Sequence, residues 1–178
     1  MHTWIQRAAL AVLTVALAGG CRLNIGVPGN GQSELPAAAD APAVDTPPTG
    51  CPSDALAFGG HHYKVFDHDG TWHEAKARCE AMGGRLACIE TEAEQRFIAG
   101  LADGRYLSIG ATDEAEEDHW AWINGSPFAF TSWLDGQPNN YGGEENYLAT
   151  YDGGDWVDVA VEGHEFWMPT GFICEWDR

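Results

Sequence analysis

The sequence predicts an α+β domain built on an antiparallel sheet. Two capped helical segments come early, short strand-like runs fill the rest, and the later runs are divided by turns rich in Gly, Asn and Asp. A doubly wound fold would alternate strand and helix throughout, and this chain does not.

The elements follow in order. Tyr63–Phe66 reads as a strand. Thr71 with Glu74 three residues on forms a capping box, and Trp72, Ala75, Cys79 and Met82 then repeat at helical spacing until Gly83-Gly84 stops the helix. Leu86–Ile89 is a second strand-like run. Thr91 with Glu94 repeats the cap, with Phe97, Ile98 and Leu101 on one face before Gly104. Further strand-like runs occur at Tyr106–Ile109, Trp120–Trp122, Tyr147–Tyr151, Trp156–Ala160 and Phe172–Trp176.

Of 178 residues, 27 are Asp or Glu and nine are Lys or Arg, a net charge of −18. Such a balance excludes nucleic acid as a partner, since nothing neutralises a phosphate backbone, and it excludes electrostatic docking on anionic lipid. Eight Trp and seven Phe supply a buried core. The length allows one domain and a tail.

The tail is at the N-terminus. Residues 1–20 combine Arg7 with an apolar run from Ala8 to Ala18, too short to span a bilayer, and read as a signal peptide. Leu17-Ala18-Gly19-Gly20-Cys21 resembles the lipobox of bacterial lipoproteins, which implies acylation of Cys21 and attachment to a membrane. Arg22, where Asp would favour inner-membrane retention, points to the outer membrane or cell surface. Residues 21–50, rich in Pro, Ala and Gly, read as a flexible lipid-anchored linker, and residues 51–178 as the folded domain. Export places that domain where disulfides persist.

Between Arg105 and Arg178 lie 72 residues without Lys or Arg but with 15 Asp or Glu. Several are clustered: Asp113, Glu114, Glu116, Glu117 and Asp118, then Glu144 and Glu145. Clustered carboxylates either form a solvated face or recruit a hard cation such as calcium. His61, His62, His68 and His73 lack the spacing of a zinc motif and are read as turn and strand-edge residues. No nucleophile elbow, P-loop or dinucleotide fingerprint is present, and nothing fixes the separation of Glu116, Glu117 and Asp118 as a catalytic carboxylate pair. The chain is therefore expected not to be an enzyme.

From Cys51 onwards the residues resemble a C-type lectin-like domain. The signatures run in order: Trp72-His73-Glu74-Ala75 with Cys79; Gly83-Gly84-Arg85-Leu86-Ala87-Cys88-Ile89; Ser108-Ile109-Gly110-Ala111; Trp120-Ala121-Trp122 with Asn124-Gly125 and Trp133; Gln137-Pro138-Asn139; Trp156-Val157-Asp158; and Phe172-Ile173-Cys174-Glu175. The resemblance implies a two-helix fold with antiparallel sheets and a long calcium-binding loop, closed by a Cys79–Cys174 disulfide. Such a crosslink, over a loop near 100 residues, is worth up to ~4.7 kcal/mol by the chain-entropy argument. The family's second disulfide is absent, its positions falling on Tyr147 and Val161. Cys51 and Cys88 are left over and are expected to pair.

The same resemblance implies two calcium sites. The principal one maps onto Gln137, Asn139, Glu145 and Asp158, which would also bind sugar hydroxyls; the fifth position is Val157, which offers no oxygen. Asp152 or Asp155 is an alternative donor there. The auxiliary site maps onto Asp113, Glu117, Asn140, Glu145 and Asn146. The implied partner is a glycan or glycoprotein, with calcium as cofactor. Gln-Pro-Asn lies between mannose-type and galactose-type loops, so the sugar stays open. Tyr141 or Trp167 is a candidate for stacking on a sugar face, although a Trp is more often core. The alternative is a lectin-like domain that binds a protein partner without ligating sugar.

Overall fold

The computed structural model describes residues 49–161 and 168–177. The signal peptide, Cys21, most of the linker and Trp167 lie outside the described residues. The elements are β1 (Leu56–Phe58), β2 (His61–Asp67), α1 (Trp72–Ala81), β3 (Arg85–Leu86), α2 (Glu92–Ala102), β4 (Leu107–Thr112), β5 (Ala121–Trp122), β6 (Tyr147–Thr150), β7 (Trp156–Val159) and β8 (Gly171–Asp177). Two helices come before the later strands, as the sequence predicts. None of the described helices is long and apolar enough to cross a membrane.

The strands order as β1-β2-β8-β4-β6-β7, with β3 on β8 and β5 on β4. All pairs are antiparallel except β4–β8. β1 went unpredicted because three residues before Gly59-Gly60 carry no alternation to detect. The predicted run Leu86–Ile89 pairs only at Arg85–Leu86. Beyond that, Ala87 donates its N–H to Ile173 O at 2.9 Å and accepts that of Gly110 at 2.7 Å.

The first cap is a complete box: Thr71 Oγ1 accepts the Glu74 N–H, and Glu74 accepts the Thr71 N–H at 2.9 Å. The second is half of one. Thr91 Oγ1 accepts the Glu94 N–H at 3.2 Å, but the Glu94 carboxylate turns into the core, accepting the Tyr63 hydroxyl at 2.6 Å and the Glu90 N–H at 2.8 Å. Accordingly Glu94, Gln95, Ile98 and Ala102 are the buried face of α2, while Phe97 and Leu101 are partly buried.

Two apolar clusters hold the domain. One gathers Tyr63, Cys88, Ile98, Ile109, Trp122, Leu148 and Trp156; the other gathers Trp72, Cys79, Tyr147, Val157, Phe172, Cys174 and Trp176. Strand alternation sorts them, with Ile173 in the first and Phe172 and Cys174 in the second. Cys79 of α1 and Cys174 of β8 are disulfide-bonded, with Cα atoms 5.5 Å apart, as the resemblance implied.

The expected Cys51–Cys88 bridge does not form: both thiols are free. Cys51 packs beside the second cluster, and its thiol faces Pro52 O at 3.6 Å. Cys88 is buried in the first, with Sγ 3.5 Å from Leu86 O and 3.8 Å from Gly110 O. Gly110 permits this close approach. A Cβ there would stand 2.6 Å from Leu86 O and 3.0 Å from Cys88 Sγ.

Candidate functional site

The loop after Trp133 is tied to β7 before it turns. Trp156 donates its N–H to Ser132 O at 2.8 Å and accepts that of Leu134 at 2.9 Å. Gln137 then closes a turn on Leu134 O, and the Gln137–Pro138 peptide is cis. The loop returns to β7 through Asp158. Its carboxylate, 3% exposed, accepts the backbone N–H of Asn139 at 3.0 and 3.1 Å and that of Asn140 at 2.6 Å.

Asn140, in the left-handed region at φ 42°, sends its amide nitrogen to Glu117 Oε1 and accepts the Glu145 N–H on Oδ1 at 3.1 Å. Glu145 Oε2 accepts the Tyr141 N–H at 2.7 Å. Asn146 O accepts both the Asp113 N–H at 3.2 Å and the Thr112 hydroxyl at 2.7 Å. The five predicted auxiliary residues, Asp113, Glu117, Asn140, Glu145 and Asn146, are thus brought into one neighbourhood from two separate loops.

The four oxygen-bearing residues of the predicted principal set also meet. Gln137, Asn139, Glu145 and Asp158 line one cavity of about 690 Å³, together with Tyr106, Leu134, Tyr141, Tyr151 and Val157. The alternative donors Asp152 and Asp155 are exposed and do not line it. Tyr141, at the loop tip, is 69% exposed.

Two oxygens stand out. Seven buried side-chain N or O atoms among the described residues lack a hydrogen-bond partner, and only two of them are oxygens: Asp113 Oδ1 and Gln137 Oε1. One falls in each predicted calcium set. A buried acceptor without a donor is costly, and a cation satisfies it as well as a hydrogen bond does. Burial pushes the Asp113 carboxyl above the usual carboxylate range; the Asp118 N–H on Oδ2 opposes this, and the Asp158 charge adds to it. Burial, then the Glu145 and Asp158 charges, push the Tyr106 phenol up. The donor chemistry, carboxylate and amide oxygens throughout, fits calcium.

A separate trio, His61, Glu175 and Asp177, has ligand atoms within 4.8 Å of one another, but Arg85 already bridges its two carboxylates. It is an ion-pair network on β2, β3 and β8. His73 and Tyr147 hydrogen-bond at 2.9 Å, and Arg78 Nη1 meets His68 Nδ1 at 2.7 Å. His61, His68 and His73 thus have local structural partners; His61 opens β2 and His68 follows it, but His73 lies in α1 and not in a turn or at a strand edge.

Tyr106, Leu134 and Tyr151 are the lining residues that the sequence did not reveal. The pairing of β4 with β6 sets Leu107 opposite Thr150 and so brings Tyr106 and Tyr151 together just beyond it, while Leu134 is placed by its backbone hydrogen bond to Trp156; no pattern along the chain signals either.

The sequence profile of the Lectin C-type domain matches residues 69–175, more than half of the chain. The chain belongs to the C-type lectin domain family. This lectin domain is 38% identical over 91 residues to hepatic lectin of Gallus gallus, covering 50% of the chain and 44% of that protein. It is 33% identical over 122 residues to CD209 antigen-like protein D of Mus musculus, covering 66% of the chain and 51% of that protein. The lectin chain spans about half the length of these two curated relatives.

Among solved structures, the cow CD23 carbohydrate-recognition domain, determined in the presence of a GlcNAc2Man3 oligosaccharide, superposes with a TM-score of 0.66 at 30% identity, over 72% of this chain and 96% of that one. The mouse scavenger receptor C-type lectin domain gives 0.65 at 31%, over 72% and 97%. A calcium-independent type II antifreeze protein, 23% identical with a TM-score of 0.63, shares the fold. The homologous lectins are carbohydrate-binding proteins and not enzymes, and the expectation of a non-enzyme agrees with this membership.

Proposed function

We propose that this lectin domain binds a glycan or glycoprotein in a calcium-dependent manner, on an exported protein anchored through acylated Cys21 in the outer membrane or at the cell surface. The observation that carries the binding reading is the pair of partnerless buried oxygens, Asp113 Oδ1 and Gln137 Oε1, one in each ligand set. Gln137, Asn139, Glu145 and Asp158 would hold calcium in the cavity, and Asp113, Glu117, Asn140, Glu145 and Asn146 beside it. Bound there, calcium supplies a Lewis acid for vicinal sugar hydroxyls. The protein's part is to aim amides as donors and carboxylates as acceptors at the same hydroxyls, because each hydroxyl both gives and takes a hydrogen bond. The reading of the anchor rests on residues 1–21 and on the linker composition alone.

Val157 favours a second reading. It is buried, it lines the cavity, and it brings no oxygen to the ring. A domain with only the auxiliary site filled would order its loop with calcium and bind a protein partner through the loop surface. Calorimetric titration of the full chain with calcium, with Glu145→Ala as control, tests both. Binding at micromolar to millimolar concentration that the variant loses, followed by chelator-reversible retention on a sugar column, is the expected result. Calcium binding without sugar retention supports the second reading, and no calcium binding removes the lectin mechanism.

A further inference from the structure

The cavity that holds the proposed sugar site has two kinds of wall. Gln137, Asn139, Glu145 and Asp158 present oxygens, while Tyr106, Leu134, Tyr151 and Val157 present hydrocarbon and aromatic surface. Its volume, about 690 Å³, lies within the ~300–1,000 Å³ range of sites that enclose drug-sized ligands. The apolar wall is set on the sheet. Val157 pairs with Ala149 across β6 and β7, and the Tyr106 and Tyr151 rings meet edge to face at 5.6 Å and 89°. The Leu134 backbone is tied to Trp156.

Val157 joins the two walls. It occupies the one position of the principal set without an oxygen, and it is 6% exposed. Its isopropyl group therefore carries the apolar wall into the polar ring. A hydroxyl turned towards the Leu134 and Val157 side chains would lose its water partners and find none in exchange there. A hydrocarbon turned the same way would be favoured by burial.

We infer that the cavity takes a glycan bearing an apolar substituent, an acyl or alkyl chain. The sugar hydroxyls meet Gln137, Asn139, Glu145 and Asp158, and the chain lies on Tyr106, Leu134, Tyr151 and Val157. The inference rests on the sugar-binding reading and narrows it to amphiphilic ligands.

The test uses the full chain at saturating calcium and paired methyl and hexyl glycosides of mannose, galactose, N-acetylglucosamine and fucose, below any micellar concentration. Calorimetry should show at least one hexyl glycoside binding tenfold or more tightly than its methyl partner, since each fully buried methylene is worth about fourfold. In Leu134→Asn the hexyl-to-methyl affinity ratio should fall towards one. Equal affinities within every pair would overturn the inference and leave the sugar reading standing. A ratio unchanged in Leu134→Asn would place the chain elsewhere and overturn it. Hexyl binding that survives chelation undiminished would show that the sugar end is not engaged, and would overturn it too. If neither member of any pair binds, the sugar reading falls, and this inference falls with it.

Discussion

The Asp158 carboxylate accepts the Asn140 backbone N–H at 2.6 Å, so the strand at the floor of the cavity grips the loop at its rim. Charged acceptors of backbone N–H groups are worth about 1.5–3 kcal/mol. Asp158→Ala should lose that much in urea unfolding of the calcium-free protein. It should also make the chain near Tyr141 more sensitive to limited proteolysis. Unchanged stability would mean that water replaces the carboxylate fully at Asn139 and Asn140.

Val157→Asn should tighten calcium by roughly an order of magnitude, because it adds an oxygen ligand to a ring that has four residues supplying them. The cost appears without metal: an amide set among Tyr147, Ala149 and Val159 should destabilise the apo domain by about 1–3 kcal/mol. Calcium calorimetry and unfolding in chelator measure the two effects separately.

Burial, then the Glu175 charge, push the Cys88 thiol up to about 12, and burial and the Asp54 charge raise Cys51. At pH 8 neither is thiolate enough to alkylate quickly in the folded state. Unfolding without reductant should expose these two to iodoacetamide, while Cys79 and Cys174 react only after reduction. A peptide joining Cys51 to Cys88 would contradict this arrangement of the two thiols.

Arg85 donates to Glu175 at 2.7 Å and pairs with Asp177. Glu175 is 2% exposed and also accepts the Cys88 N–H at 2.9 Å. Arg85→Met would leave that carboxylate only the Cys88 N–H and His61 Nδ1, 3.0 Å away, at a cost of up to about 3–5 kcal/mol near neutral pH. Burial raises the Glu175 carboxyl above its unfolded value. Protonation therefore favours the folded state, and that contribution is lost as pH rises through the folded value. The deficit of the variant should accordingly narrow on acidification from pH 7 towards pH 4. Thermal unfolding across that interval checks the sign.

Local chemistry was the part legible in the sequence. Thr71 and Glu74 announce a cap because both partners lie within one turn, and Gly83-Gly84 marks its end. Resemblance singled out Gln137, Asn139 and Glu145, which the fold brings to one cavity, and it also gave the Cys79–Cys174 bond. What depended on three-dimensional placement was not readable. Counting cysteines pairs Cys51 with Cys88, yet the two thiols belong to different apolar clusters. Glu94 looks like a second capping-box glutamate, but a buried Tyr63 hydroxyl claims it. Tyr106 and Tyr151 meet only because β4 and β6 pair in one register, and no spacing along the chain encodes that.

The Cys79–Cys174 bond joins residues 95 apart, and every residue lining the cavity lies between them. A single protease cut anywhere in that interval therefore yields two peptides still held as one covalent molecule. Such a nick is invisible on a non-reducing gel and shows as fragments only once thiol is added. Shedding the cavity loops takes two cuts, so the domain can be nicked by a protease at its most accessible point and keep its parts together.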